Sequence, residues 1–184
     1  PDLYVHDRDT GETRLINLGP NGPVDTWYIS ELASNNVFLN AVGGLTSEID
    51  VSDDVQHVWM HTLETGDNYL VSKSSDGTPA DATSGLIDVS ADGRYVLIFS
   101  ASALDRRYEA GPGYGIFVHD VETGQTQRIN APLAKDARAS QSTTEALISH
   151  NGRCVMYETS GRGSSPDNIY IRDLRKGSIS KVKI

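Results

Sequence analysis

The chain has 184 residues, a formal net charge of −9 and 38% hydrophobic residues. Its length allows one domain with a sizeable core, and its acidic balance argues against nucleic acid as a partner, because phosphate binding requires a basic stripe. No apolar run approaches the roughly 20 residues that a membrane-spanning helix requires, so we expect no membrane span.

In chain order, the first recurring unit is a short apolar strand that ends in His-Asp, or a variant of it, and runs into a glycine turn. It occurs at 3–17, 58–72, 116–130 and 169–183. The turn glycines lie roughly 55 residues apart, which is typical of a repeated structural unit. Each copy predicts two antiparallel strands, named c and d, joined by a tight turn.

A second unit precedes three of these copies, at 27–40, 87–100 and 146–160. In the copy at 87–100, Ala91-Asp92-Gly93 joins two apolar runs. Asp-Gly is a strong hairpin signal because glycine readily takes the positive φ that such a turn needs. The unit predicts strands a and b, although Asn35-Asn36 departs from the pattern and leaves the turn of the first copy open.

Together the units predict an all-β chain, a β-propeller fragment of about three and a half blades, each full blade being a four-stranded antiparallel sheet. We expect a single propeller-type domain over 1–184, with a c–d half blade at 1–18 and full blades at 26–72, 85–131 and 145–184. Because a closed ring requires at least about four blades, we expect either further blades in the native protein or association between copies of the chain.

The segments VSADGRYVLIFS, GIFVHDVETGQTQRIN and LYVHDRDTGETRLIN resemble the TolB-like, WD-repeat-like propeller repeats of bacterial proteins. Such repeats occur in periplasmic translocation proteins, in peptidases as a gating propeller and in secreted proteins. The resemblance implies a propeller fold and a periplasmic or extracellular bacterial protein. It does not imply one function, because a fold of this kind supports many.

The connections between strands differ in length at the two ends of each blade. The a–b and c–d turns are short and lie at one end, whereas the b–c and d–a connections lie at the other. Those are long and dissimilar, at 41–54, 102–114 and 161–167 for b–c and at 18–25, 73–84 and 132–144 for d–a. Variable loops on a rigid scaffold commonly carry function, so we expect a ligand on this long-loop face.

One b–c loop combines cationic and aromatic side chains on an otherwise acidic chain. Arginine and tyrosine are enriched at interface hot spots. The candidate binding residues are therefore Asp105, Arg106, Arg107, Tyr108 and Tyr114. An exposed loop without a binding role is the alternative.

Two patterns suggest a metal site. The loop with Glu48, Asp50, Asp53 and Asp54 offers oxygen ligands for calcium, but it lacks the spacing and central glycine of an EF-hand, so a solvated loop is favoured. Three histidines occupy equivalent c-strand positions in different blades, where a solvated or hydrogen-bonded role is favoured over convergence on zinc: His6, His61 and His119. We expect no cofactor, with calcium as the open alternative.

Residues repeated in every blade are expected to be structural, because chemistry needs one site rather than several similar ones. The aspartates that end strand c, Asp7, Asp120 and Asp173, are expected to cap turns or bond the neighbouring backbone. The lone cysteine, Cys154, lies in an apolar run and is expected to be a buried, inert thiol.

No G-x-S-x-G motif is present, and no catalytic residue can be assigned. The favoured function is a non-catalytic binding or scaffold propeller that contacts a protein or carbohydrate partner through the long-loop face. The alternative is the propeller portion of a secreted or periplasmic hydrolase or lyase, with catalytic residues in the channel or in another segment.

Overall fold

The computed structural model describes residues 2–107, 114–130, 143–159 and 168–182, with backbone alone for 27–31 and 143–144. In these ranges all regular secondary structure is extended. The strands are β1 (Tyr4–His6), β2 (Thr13–Leu15), β3 (Leu18–Gly19), β4 (Gly22–Pro23), β5 (Thr26–Ala33), β6 (Asn36–Val42), β7 (Gln56–Thr62), β8 (Asn68–Leu70), β9 (Ser84–Val89), β10 (Tyr95–Ser100), β11 (Gly115–Asp120), β12 (Gln125–Arg128), β13 (Thr143–Ile148), β14 (Cys154–Thr159), β15 (Asn168–Asp173) and β16 (Ser178–Lys181). The described residues hold no helix of the length and apolarity that would cross a membrane.

Three four-stranded antiparallel sheets follow one another along the chain: the first blade (β5–β8), the second blade (β9–β12) and the third blade (β13–β16). Strands β1 and β2 form a separate two-stranded sheet, the half blade. The all-β class and the four-stranded antiparallel blade are thereby confirmed. The 18–25 connection, predicted as a loop, contains a short hairpin in which β3 pairs with β4. Each of its strands has two residues, which is too short to show a hydrophobic period in the sequence.

A local hydrogen-bond pattern closes the β9–β10 turn. The Asp92 carboxylate accepts the Ser90 hydroxyl and the Arg94 N–H, at 2.6 and 3.1 Å, and Gly93 takes a φ of 73°. The pattern recurs before β14, where the Asn151 side-chain oxygen accepts the Ser149 hydroxyl and the Arg153 N–H at 2.9 and 3.1 Å and Gly152 takes a φ of 66°. These turns are therefore specified by residues four or five apart.

The a–b turn of the first blade, which its sequence left open, closes without glycine. Ala33 pairs with Asn36 across it, and Ser34 takes a φ of 54°. Among the described non-glycine residues, Ser34 is the one with positive φ. Serine tolerates this region less well than glycine, so this turn is the more strained of the a–b turns.

The predicted turn-capping role of the c-strand aspartates is confirmed. The Asp7 carboxylate accepts the N–H groups of Asp9 and Thr10 at 2.8 and 3.1 Å. The Asp120 carboxylate accepts the Glu122 N–H at 3.1 Å, and Asp173 does the same for Arg175 and Lys176. Backbone N–H groups hold the pKa of Asp7 below its usual range. Burial opposes ionisation of Asp120, but the Arg94 guanidinium and the backbone outweigh it and lower its pKa, and the Arg153 guanidinium leads the same effect at Asp173.

The core lies between blades rather than within one, because the first and second blades each bury both faces of their sheets. On β10, Val96 and Ile98 pack towards the first blade, whereas Leu97 packs towards the third. This alternation is the two-residue period of a strand. A third cluster, which includes Leu3 and Trp59, joins the half blade to the first blade.

Cys154 is half-buried, so the prediction of a buried thiol is wrong. The apolar run contains the buried Val155, and successive residues of a strand point to opposite faces. Cys154 therefore shares the outer face of the third blade with Met156, which is exposed.

Candidate functional site

A cleft of about 570 Å³ lies between the first and second blades. It is bounded by the d–a connection after β8, the b–c connection after β10, and the outermost strand of the second blade. Its lining residues are Ser74, Ser75, Asp76, Leu104, Asp105, Arg106, Arg107, Gln125, Thr126 and Gln127. Two long connections of the predicted ligand face thus line the same cleft, and strand β12 forms its third side.

The wall of the cleft is the outer edge of strand β12. The Thr126 N–H donates to the Ser75 hydroxyl at 2.9 Å, and that hydroxyl donates back to the Thr126 carbonyl at 3.2 Å. Two residues further on, the Arg128 N–H donates to the Asp105 carboxylate at 3.0 Å. Side chains from the two connections therefore hydrogen-bond to backbone groups of β12. In an unprotected edge strand these groups would be free to pair with another chain.

Asp105 is held inside this wall, with 5% of its surface exposed. The Arg107 guanidinium donates to both carboxylate oxygens, at 2.9 and 2.7 Å. Burial opposes ionisation, but these bonds and the Arg128 N–H outweigh it and hold the pKa of Asp105 below its usual range. Asp105 thus anchors the loop, while the Arg107 side chain, 65% exposed, forms part of the cleft surface.

Arg106 forms an ion pair across the cleft with Asp76, thirty residues earlier in the chain. The Ser74 hydroxyl and the Thr78 N–H bond the Asp76 carboxylate and, with Arg106, lower its pKa to about 2. The Arg106 side chain remains 74% exposed. The lining therefore balances two guanidinium groups with two carboxylates and adds the amides of Gln125 and Gln127.

Behind the wall, His119 links the second blade to the first. Its Nδ1 lies 2.8 Å from the Thr126 hydroxyl, and its Nε2 lies 3.0 Å from the Tyr69 hydroxyl. The Thr126 hydroxyl donates its own proton to the Lys73 carbonyl at 2.5 Å. Nδ1 must therefore donate, and in the neutral imidazole Nε2 then accepts the Tyr69 hydroxyl proton. Burial, with a smaller effect of Lys73, lowers the pKa of His119 to about 4.

The other two repeat histidines make the same intrablade bond. His61 Nδ1 lies 2.8 Å from the Asn68 side-chain oxygen, and His6 Nδ1 lies 2.8 Å from the Thr13 hydroxyl. The prediction of a hydrogen-bonded repeat position is confirmed. Among the described residues, no group of three or more His, Cys, Asp or Glu side chains is arranged to hold a metal ion.

The predicted calcium loop keeps its acidic side chains apart from its apolar ones. Ile49 and Val51 pack on the core between the half blade and the first blade. The carboxylates face solvent at Glu48, Asp50, Asp53 and Asp54. A solvated loop stays the prediction, with calcium as the open alternative.

The structure brings together three of the five predicted binding residues: Asp105, Arg106 and Arg107. Tyr114 is not among the residues that line the cleft, and instead meets the Phe99 ring edge-on with centroids 5.2 Å apart. Tyr108 lies outside the described residues.

Sequence reasoning missed the contribution of Ser75 and of Gln125 and Gln127. One signal was available for the first of these. The Ser-x-Asp-Gly pattern of the a–b turns also occurs at 74–77, in a d–a connection. This pattern indicates a structured turn within a connection that was expected to be variable. The pattern does not indicate that β12 lies beside this turn.

The architecture is similar to that of solved β-propeller proteins. TolB from Acinetobacter baumannii matches with a TM-score of 0.50 and 13% identity, over 98% of this chain and 37% of that one. An oligogalacturonate lyase in complex with manganese matches with a TM-score of 0.55 and 16% identity, over 98% of this chain and 41% of that one. The β-propeller domain of the trilobed protease from Pyrococcus furiosus, which has an open velcro topology, matches with a TM-score of 0.55 and 15% identity, over 99% of this chain and 49% of that one.

The chain therefore has a TolB-like β-propeller fold, and it spans less than half the length of each of these three proteins. At such identities the similarity concerns the fold alone. No protein-family model and no curated protein sequence matches the chain.

Proposed function

We propose that this chain is a non-catalytic binding or scaffold propeller that contacts a protein or carbohydrate partner through the cleft between its first and second blades. The observation that supports the proposal is that four polar side chains line one cleft: Arg106, Arg107, Gln125 and Gln127. The β12 wall of this cleft is held in place by hydrogen bonds from its backbone to Ser75 and Asp105. Rigid walls lower the entropy that a binding site loses on association.

The chemistry of the lining favours a polar partner without large net charge. Both guanidinium groups already face carboxylates, so the cleft offers directed hydrogen bonds rather than a cationic field. Two primary amides add further donors and acceptors in planar geometry. Hydroxyl groups of a sugar and backbone amides of a protein loop both suit such a surface.

The test is a binding measurement on variants that each lack one side chain of the cleft lining. Arg106→Ala removes a surface ion pair, which costs the fold little, and Gln127→Ala removes one amide. We expect each to weaken binding about tenfold, measured by calorimetry with a partner identified from a glycan array or a pull-down. Arg8→Ala, on the exposed c–d turn of the half blade, is the matched control. Binding of both cleft variants with wild-type affinity would remove the cleft from the site.

The competing proposal is a propeller portion of a hydrolase or lyase, and it is supported by similarity to propellers in a lyase and in a protease. A panel of ester, peptide and polysaccharide substrates tests it directly. Turnover by this chain that is abolished by one substitution facing the channel would replace the binding proposal.

We also propose a periplasmic or extracellular location for the native protein, on its likeness to TolB-type propellers. Cell fractionation of the source bacterium with an antibody to this chain tests it. Recovery with cytoplasmic markers alone would overturn it.

A further inference from the structure

The outer face of the third blade carries a row of exposed apolar side chains. Leu147 pairs with Met156 across β13 and β14, and Met156 pairs with Ile171 across β14 and β15. Their exposed fractions are 55%, 42% and 40%. They are therefore cross-strand neighbours on one sheet face, and together they form one continuous apolar surface, named here the Met156 row.

The same register positions are buried in the two preceding blades. Phe38 pairs with Met60 in the first blade, and Leu97 pairs with Val118 in the second. None of these four side chains is more than 7% exposed. In both blades these side chains are buried by the sheet of the next blade along the chain. The Met156 row is thus a blade-packing surface, and its natural occupant is another sheet of the same repeat.

A sheet face of the required kind is exposed at the other end of the chain. On the half blade, Tyr4 pairs with Leu15 and is 58% exposed. In the three full blades the equivalent c-strand residue is also aromatic, and it packs towards the preceding sheet: Trp59, Phe117 and Tyr170.

The histidine two residues further along strand c supports the same comparison. His119 accepts a hydrogen bond from Tyr69 of the preceding blade through Nε2. His6 occupies the equivalent position on the half blade, is exposed, and has its Nδ1 held by Thr13 in the same way. The half blade therefore presents both the aromatic and the imidazole of a blade interface to solvent.

We propose that a second copy of this chain seats the Tyr4 face of its half blade on the Met156 row, head to tail. The contact places an aromatic ring on an aliphatic sheet face, as at the interfaces inside the chain. Because the two surfaces differ, the interface is heterologous, and each pair of copies keeps one free surface of each kind. Such association either closes into a ring or continues as an open chain.

The first measurement is the absolute mass in solution by light scattering over a concentration series. We expect the mass to rise above the 19.9 kDa of one copy as concentration increases. Met156→Glu and Tyr4→Glu are each expected to raise the dissociation constant at least about tenfold, because either charge would be buried unpaired in the contact. Leu32→Glu is the charge-matched control, on a side chain that is 67% exposed and outside both surfaces.

Mixing the two variants gives the sharper test. The Tyr4→Glu chain keeps an intact Met156 row, and the Met156→Glu chain keeps an intact Tyr4 face, so an equimolar mixture should restore a complex of two copies. Met156→Gln is a milder second variant, and thermal melts confirm that all variants remain folded. A wild-type chain that stays monomeric throughout, a normal association of Tyr4→Glu, or no recovery on mixing would each overturn the proposal.

Discussion

At the scale of single residues, His119 joins two blades as the neutral imidazole. His57, also fully buried, has its Nδ1 3.2 Å from the Ser72 hydroxyl, and burial lowers the pKa of both histidines to about 4. Unfolding returns each pKa to about 6.5. Between these values the unfolded chain binds protons that the folded chain does not.

The unfolding free energy is therefore expected to be steady above pH 7 and to fall as the pH is lowered from about 6.5 to 4. Each histidine contributes up to about 3 kcal/mol to this loss. Urea denaturation at several pH values measures it. His119→Gln should show a shallower dependence than wild type, whereas His150→Gln, on an exposed turn, should retain it. Equal slopes in all three proteins would contradict this role of His119.

Asp105 is expected to act on stability as well as on the shape of the cleft. Asp105→Asn leaves the Arg107 guanidinium without its carboxylate and weakens the cap on the Arg128 N–H. We expect a loss of about 1–3 kcal/mol in unfolding free energy, measured by urea denaturation. Asp53→Asn, on an exposed loop, should change it by less than about 0.5 kcal/mol. A neutral effect of Asp105→Asn would show that the wall does not depend on this carboxylate.

At the scale of elements, two turn glycines with almost the same backbone differ in their surroundings. Gly124 has a φ of 70° and open space where a Cβ would lie. Gly152 has a φ of 66°, but its Cβ would lie 2.2 Å from the Tyr95 ring, across the interface between the second and third blades. The first glycine is needed for conformation alone, and the second is needed for conformation and for blade packing.

Gly124→Ala is therefore expected to cost about 1–2 kcal/mol, the ordinary strain of a left-handed alanine. Gly152→Ala should cost about 1–3 kcal/mol more, because the Tyr95 ring must move. Chemical denaturation of the two variants measures the difference. Equal losses would mean that the Tyr95 ring adapts without cost.

At the scale of the whole molecule, each blade contacts the sheets beside it. The stability of each blade therefore depends on its own sheet and on its interfaces with its neighbours. The half blade has only two strands and, among the described residues, is covered on one face, by the first blade. We expect its backbone amides at 3–17 to exchange with solvent at least about tenfold faster than those of β6, β7 and β10. Hydrogen-exchange mass spectrometry measures this. Equal protection would show that the molecule opens as one cooperative unit.

The repeat of four-stranded antiparallel units and the turn caps were determined by the sequence alone. Each depends on residues close together in the chain, such as Asp92 with Gly93 or Asp7 with Thr10, and copies of one pattern reinforce one another. The a–b turn at Ser34 was left open because neither neighbour carries the glycine signal.

The cleft was decided by the tertiary structure. Arg106 meets Asp76 only because the second blade packs beside the first. Asp105 reaches Arg128 because the b–c connection of the second blade folds back onto the edge of β12. Within the second blade, Arg107 and Arg128 hold Asp105 inward, and the pairing of β10 with β11 places Tyr114 against Phe99. The partial exposure of Cys154 and the exposure of Met156 were also decided by the tertiary structure, because whether a strand face is buried depends on a sheet that lies elsewhere in the chain.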